Sequence, residues 1–262
     1  MPISASRNRS GSSGPMLTLS GVFAGYGGGN VLQGLDLEVG NGSITCVVGP
    51  NGADKSTVLK AVSGLIRTSA GSIRLDGRSI NSLSCKDILS AGVVQVPQQD
   101  ALFPSMTIRE NILMGGYLLR RDRSLLKKRY DAVAEIIPLV GERPDEKAGN
   151  LSGGQRRMIE IGRSLMLDPR LVLLDEPSLG LDPKAAAQVS GLIQLQREQG
   201  RTILLVEQNV RLGFRMATHG VIMESGKIRL EGSPAELLDH LEIADLYLGG
   251  GMEKSAGPGP RD

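Results

Sequence analysis

The sequence predicts an α/β protein built on a mostly parallel sheet, and three observations lead there. Short, continuous apolar runs at Ile44–Val48, Val93–Val96, 171–174 and 202–206 have the character of strands buried on both faces. Helix-like segments lie between them, the pattern of strand–helix alternation. At residues 44–62 a strand, a glycine-rich turn and a helix follow one another, an arrangement suited to holding phosphate.

Taken in order, residues 1–15 are a low-complexity Ser, Arg and Gly segment, expected to be a disordered tail, and Met16 opens the folded part. Residues 17–22 alternate loosely as a first strand. Residues 23–30 form a glycine-rich turn holding Tyr26. Residues 31–39 alternate apolar and polar, which marks a half-exposed antiparallel strand. Asn41-Gly42 is a hairpin signal leading into the strand at 44–48. A helix runs on from Val58, and residues 72–77 continue the β pattern.

Pro97 closes the short strand at 93–96. From Gln98 to about residue 163 the periodicity is helical, which reads as an inserted helical subdomain. It carries a basic stretch, Arg120, Arg121, Arg123, Lys127, Lys128 and Arg129, expected to be a solvated helix face. Residues 185–199 form a helix that Gly200 ends. Residues 221–223 and 227–230 form a hairpin around Ser225-Gly226. Ser233, Pro234 and Glu236 make a capped helix start. The fold is expected to span residues 16–250, and residues 251–262 to form a flexible tail.

Composition narrows the function. The 30 basic and 28 acidic residues nearly balance, with a net charge of +2, so nothing favours nucleic acid or an anionic surface. Trp is absent and Phe numbers three, which argues against base-stacking platforms. Cys46 and Cys85 make no metal pattern, and Cys46 reads as a small buried hydrophobe. No apolar run approaches the ~20 residues of a membrane span, and the first residues lack the apolar core of a signal peptide. An intracellular protein that meets a membrane only through partners is expected.

Three segments carry chemistry. The first is Gly49, Pro50, Asn51, Gly52, Ala53, Asp54, Lys55, Ser56 and Thr57. Backbone N–H groups and a helix N-terminus would face an anion. Lys55 would reach the β- and γ-phosphates, and Ser56 would hold Mg²⁺. The pattern departs at Asp54, where it calls for Gly. In the second, the apolar run 171–174 ends in Asp175, a carboxylate at the strand's end placed to hold Mg²⁺. Glu176 beside it is a candidate base toward water. The third is Leu151, Ser152, Gly153, Gly154 and Gln155, another helix N-terminus, placed upstream of the Asp-Glu strand.

Together these residues resemble the ATP-binding subunit of ABC transporters, over about residues 17–250. The resemblance implies a P-loop NTPase (RecA-like) core with an antiparallel β subdomain and a helical subdomain carrying the LSGGQ signature. It implies ATP and Mg²⁺, and a head-to-tail dimer, homo- or heteromeric, in which one phosphate loop faces the partner's Ser152–Gln155 across ATP. Tyr26 matches the aromatic that stacks on adenine. Gln98 matches the glutamine that contacts Mg²⁺. Asp182 closes the segment 178–182 that bridges the subunits. Gln208 stands where the family carries a γ-phosphate-contacting His. The two histidines, His219 and His240, fall outside the motifs.

Residues 206–209, 175–181 and 246–250 are similar to one subclass, the second ATPase subunit of branched-chain amino acid importers. Urea and amide importers and exporter ATPases share much of this pattern. Transmembrane permease subunits, and indirectly a substrate-binding protein, are the implied partners, at the cytoplasmic face of the membrane. Asp54 puts a Cβ and a carboxylate beside a polyanion, so weakened nucleotide binding is expected at this loop. Two other readings stay open: a catalytically degenerate regulatory or scaffolding partner, and an ABC-type ATPase acting on DNA or ribosomes. The latter usually shows tandem domains or long coiled insertions, which this chain lacks.

Overall fold

The structure is a computed structural model, which describes residues 14–27, 29–98 and 101–239. The expected tails fall almost wholly outside those residues, as do His240 and 246–250. Strands β1 (Leu17–Tyr26) and β2 (Gly29–Val39) lead into β3 (Ile44–Val48) and helix α1 (Lys55–Val62). Then come β4 (Thr68–Leu75), β5 (Arg78–Ser79), α2 (Cys85–Ser90) and β6 (Val93–Val96). A helical stretch follows, with α3 (Ile108–Gly115), α4 (Arg123–Ile136), α5 (Pro138–Glu142) and α6 (Gly153–Leu165). The chain returns to β7 (Leu171–Asp175), α7 (Pro183–Glu198), β8 (Thr202–Glu207) and α8 (Val210–Met216). It ends in β9 (His219–Glu224), β10 (Lys227–Gly232) and α9 (Pro234–Asp239).

Two sheets form. One is antiparallel, in the order β2-β1-β4-β5, and the other runs β10-β9-β3-β8-β7-β6. In the second, β9, β3, β8, β7 and β6 are parallel and only β10 is antiparallel. The apolar runs are strands buried on both faces because alternate residues feed two cores. Ile44, Cys46, Val48, Val172, Leu174, Ile203 and Leu205 join α3, α4 and α6 in one. Val47, Leu171, Leu173, Leu204 and Val206 join α1 and the antiparallel sheet in the other. Cys46 is a buried free thiol, as its apolar setting suggested.

Two expectations are corrected. Asn41-Gly42 is a turn but not a hairpin: β2 pairs with β1, whereas β3 pairs with β8 and β9. A β-turn signal specifies a reversal, and here the chain uses it to pass from one sheet to the other. Residues 23–26 are not turn but the end of β1, with Phe23 opposite Gln33 and Tyr26 opposite Gly29. The basic stretch is exposed apart from Arg129, which is tied with Arg201 to Asp168, at 3.0 and 2.9 Å.

Candidate functional site

β3, β8 and β7 lie side by side, and being parallel they end at one edge of the sheet. That edge gathers the loops that follow them. After β3 the backbone turns tightly. A Cβ at Gly49 would sit 2.2 Å from the Met223 carbonyl oxygen, so only glycine fits there. Gly52 lies at φ +82°. The Ala53 N–H donates to the Pro50 carbonyl at 3.1 Å.

Asp54 is the N-cap of α1, with φ 66° and ψ 26°, in the left-handed region. This is the conformation that favours the expected glycine, and Asp is among the few residues that enter it readily. Its side chain caps nothing, since no N–H of α1 donates to it. Burial raises the Asp54 carboxyl above the usual range, against the lowering effect of Lys55.

Lys55 is buried and bends back over the loop, donating to the carbonyls of Gly49 (2.8 Å) and Pro50 (3.0 Å). Burial lowers its pKa; Glu176, Asp175, Glu207 and Asp54 oppose that shift. Ser56 Oγ donates to Asp175 Oδ1 at 2.7 Å, across 119 residues of sequence. Burial raises the Asp175 carboxyl, with the Ser56 hydrogen bond the strongest opposing effect. Glu176 is buried at φ 44°, and its Oε2 accepts from Gln98 Nε2 at 2.8 Å. Thr57 is buried within α1.

Tyr26 is half-exposed, and the Lys60 ammonium lies 5.4 Å from its ring centre, so the ring stands beside α1. Gln208 is exposed just after β8, and it lines an open cavity with Ser178, Leu179 and α7 and α8 residues. The remaining predicted residues are engaged elsewhere in the chain. Ser152 and Gln155 form a reciprocal capping box at the start of α6, at 3.3 and 3.0 Å. Asp182 caps α7, accepting from the N–H groups of Lys184 and Ala185. Gly154 sits where an added Cβ would lie 2.5 Å from that of Ala185. Among the described residues no hydrogen bond joins Ser152–Gln155 to the phosphate loop.

A family model described as "ABC transporter" matches residues 32–179. The chain belongs to the ABC transporter family. It is an ATPase of that family, built to bind ATP. It is 37% identical over 235 residues to the high-affinity branched-chain amino acid transport ATP-binding protein BraG of Pseudomonas aeruginosa, covering 90% of this chain and 100% of that one. It is 34% identical to the probable branched-chain amino acid transport ATP-binding protein LivF of Archaeoglobus fulgidus, over 89% and 99% of the two chains. The ADP conformation of MJ1267, an ATP-binding cassette of an ABC transporter, superposes with a TM-score of 0.81 at 26% identity, covering 90% of this chain and 99% of that one.

The ABC fold holds two site residues that the sequence did not disclose. Glu207, at the end of β8, is 2% exposed and accepts from the Ser178 N–H (3.1 Å) and hydroxyl (2.7 Å). Burial raises its carboxyl. Arg157, in α6, is 6% exposed and donates to backbone carbonyls on both sides of Glu176. Next to Arg156 in the sequence it looks like one of two surface cations. The one available signal was Glu160, a helical turn away, which pairs with it at 2.8 Å.

Proposed function

We propose that this chain is the ATP-hydrolysing subunit of an importer for branched-chain or related amino acids. The observation that carries the reading is the contact of Ser56 with Asp175, made where similarity to BraG spans all of that protein. In this reading two subunits pair head to tail, each lending Ser152–Gln155 to the other's phosphate loop. Permease subunits receive the motion through the helical insertion, at the cytoplasmic face of the membrane. Among the described residues no helix is long and apolar enough to cross one.

A hydroxyl and a carboxylate in contact suit Mg²⁺, which takes oxygen ligands and is usually bound through one or two carboxylates plus substrate phosphates. Ser56, Asp175 and Gln98 would hold the ion, which when bound neutralises phosphate charge. Tyr26 stacks on the adenine. Lys55 exchanges its loop carbonyls for the phosphates. Glu176 orients the attacking water, and Gln208 donates its amide to the γ-phosphate, without the proton exchange a His allows. Asp182 helps bridge the subunits.

Asp54 weakens this chain's own site. Its carboxylate joins Asp175, Glu176 and Glu207 around one buried lysine, before any phosphate arrives. That favours a second reading, in which this subunit binds nucleotide poorly and chiefly completes the site of a different partner. Purification of the tagged chain from membranes tests both. Co-purifying permease subunits with ATP turnover that Glu176→Gln abolishes support the first. A distinct second ATPase, whose turnover survives Glu176→Gln here, supports the second. Recovery without any membrane subunit overturns both.

A further inference from the structure

The buried Arg157 guanidinium makes six hydrogen-bond contacts with five N–H groups, so one N–H of Nη2 is shared between two carbonyls. Nη1 donates to the Pro97 carbonyl and to Glu160 Oε2, both at 2.8 Å. Nη2 donates to the carbonyls of Gln98 (3.1 Å), Glu176 (3.1 Å) and Asp175 (3.5 Å). Nε donates to the Pro177 carbonyl at 3.2 Å. The accepting carbonyls belong to two segments, the end of β6 and the end of β7. Those segments carry the two side chains that meet each other, Gln98 and Glu176.

Four of the five carbonyls, those of Pro97, Gln98, Glu176 and Pro177, lie just beyond the strand ends, outside the ladder. A planar guanidinium, with five N–H groups in a fixed fork, can serve several at once, whereas an ammonium acts as a point charge. Glu176 moreover has a left-handed backbone, at φ 44°, which a glutamate adopts only when its surroundings impose it. Its own N–H donates to the Val206 carbonyl (3.0 Å) and its carbonyl accepts from the Leu179 N–H (3.1 Å), and the Arg157 bonds to the carbonyls of 175, 176 and 177 add to that restraint. Glu160 completes the cluster: it pairs with Arg157, and its Oε1 accepts from the Ala101 N–H at 2.8 Å. Arg163, further along α6, donates to the Ala101 carbonyl at 2.6 Å.

We infer that Arg157 is a positioning residue that fastens Gln98 and Glu176 to α6, the helix that begins at Ser152–Gln155. The inference rests on the proposed reading, in which Ser152–Gln155 serves the partner's nucleotide while Glu176 serves this chain's own. A displacement of α6 on engaging the partner's ATP then moves the backbone of Glu176. One rigid connection relates the two composite sites of the dimer.

Hydrogen exchange on the nucleotide-free chain and steady-state ATPase of the assembled complex test this. In Arg157→Gln, amides in 93–98 and 171–178 exchange faster while the rest of the sheet is unchanged. In the complex kcat falls about tenfold or more with KM within about threefold, the signature of a lost transition-state arrangement. Arg157→Lys recovers part of both effects, and it carries the same readouts where the glutamine variant does not fold. Unchanged exchange in both segments, or a uniform rise across the chain with kcat scaling to the folded fraction, overturns the inference. A wild-type complex without turnover overturns the proposed function instead, and the exchange comparison still decides Arg157.

Discussion

The Gln98 side-chain amide donates to Glu176 Oε2 at 2.8 Å, joining the ends of two adjacent parallel strands. Gln98 is exposed and Glu176 is buried, so the bond fixes a concealed carboxylate from the rim of the site. The same two strand ends are held from behind by Arg157. Glu176 is thus set on three sides: by its strained backbone, by Gln98 and by the guanidinium beneath it.

Glu176→Gln keeps the shape and removes the acceptor charge. Turnover is expected to fall by about 10²–10⁴, the range for a lost general base, with nucleotide affinity changed less than about threefold. Single-turnover hydrolysis beside equilibrium titration measures the two separately. Normal turnover would remove Glu176 from the role.

Asp54→Gly and Asp54→Asn separate two effects of one substitution. The left-handed backbone at φ 66° accommodates Gly and Asn, and both remove the charge. A like-charge pair at ~4 Å is worth about 4 kcal/mol at an effective dielectric of 20, less where the carboxylate meets solvent, as here. An affinity gain for ATP on the order of tenfold is expected from both variants. Because burial raises the Asp54 pKa, wild type approaches the Asn variant as pH falls through that raised value. Titrations at several pH values check it; equal affinities at neutral pH would show the charge to be inert.

Much of this site was legible from spacing alone. Lys55, Ser56, Asp175 and Glu176 follow strands whose unbroken apolar character marked them as parallel and doubly buried, and such strands end at a common edge. The backbone strain at Glu176 was not legible, because a positive φ on a glutamate is imposed by tertiary contacts. Nor was Arg157, whose partners are carbonyls and leave no trace in residue identity. Asn41-Gly42 misled because a turn dipeptide encodes a reversal and says nothing of which strand pairs next. Ser152–Gln155 and Asp182 appear in one chain as helix caps, and a role toward a second subunit leaves no mark in the contacts of a single chain.

Glu207 ties the stability of the fold to pH. Burial raises its carboxyl above the usual glutamate range, with the Ser178 hydrogen bonds opposing and Glu176 adding to the rise. A group with a higher pKa folded than unfolded binds more protons folded, so its ionisation destabilises the fold as pH rises through that window. Glu207→Gln retains an acceptor oxygen for Ser178 and removes the titration. Its melting temperature is expected to gain on wild type as pH rises from about 4.5 toward neutral, and the difference to close at lower pH. A difference independent of pH would show that Glu207 does not titrate in this window.

Gly154, within Ser152–Gln155, packs against Ala185 in the first turn of α7. A Cβ at Gly154 would lie 2.5 Å from the Cβ of Ala185 and 3.5 Å from its Cα, and neither atom is the free end of a flexible chain. α6 must therefore shift away from α7 if residue 154 becomes alanine. Gly154→Ala is expected to cost about 1–3 kcal/mol, the usual range for overpacking. Ala185→Gly alone removes a methyl and a helix former in the first turn of α7, costing about 1 kcal/mol or less. Combining them restores the space, so the double variant should be more stable than the sum of the two losses. Chemical denaturation of the four proteins gives the coupling directly, and strict additivity would mean that the two helices do not meet at these residues.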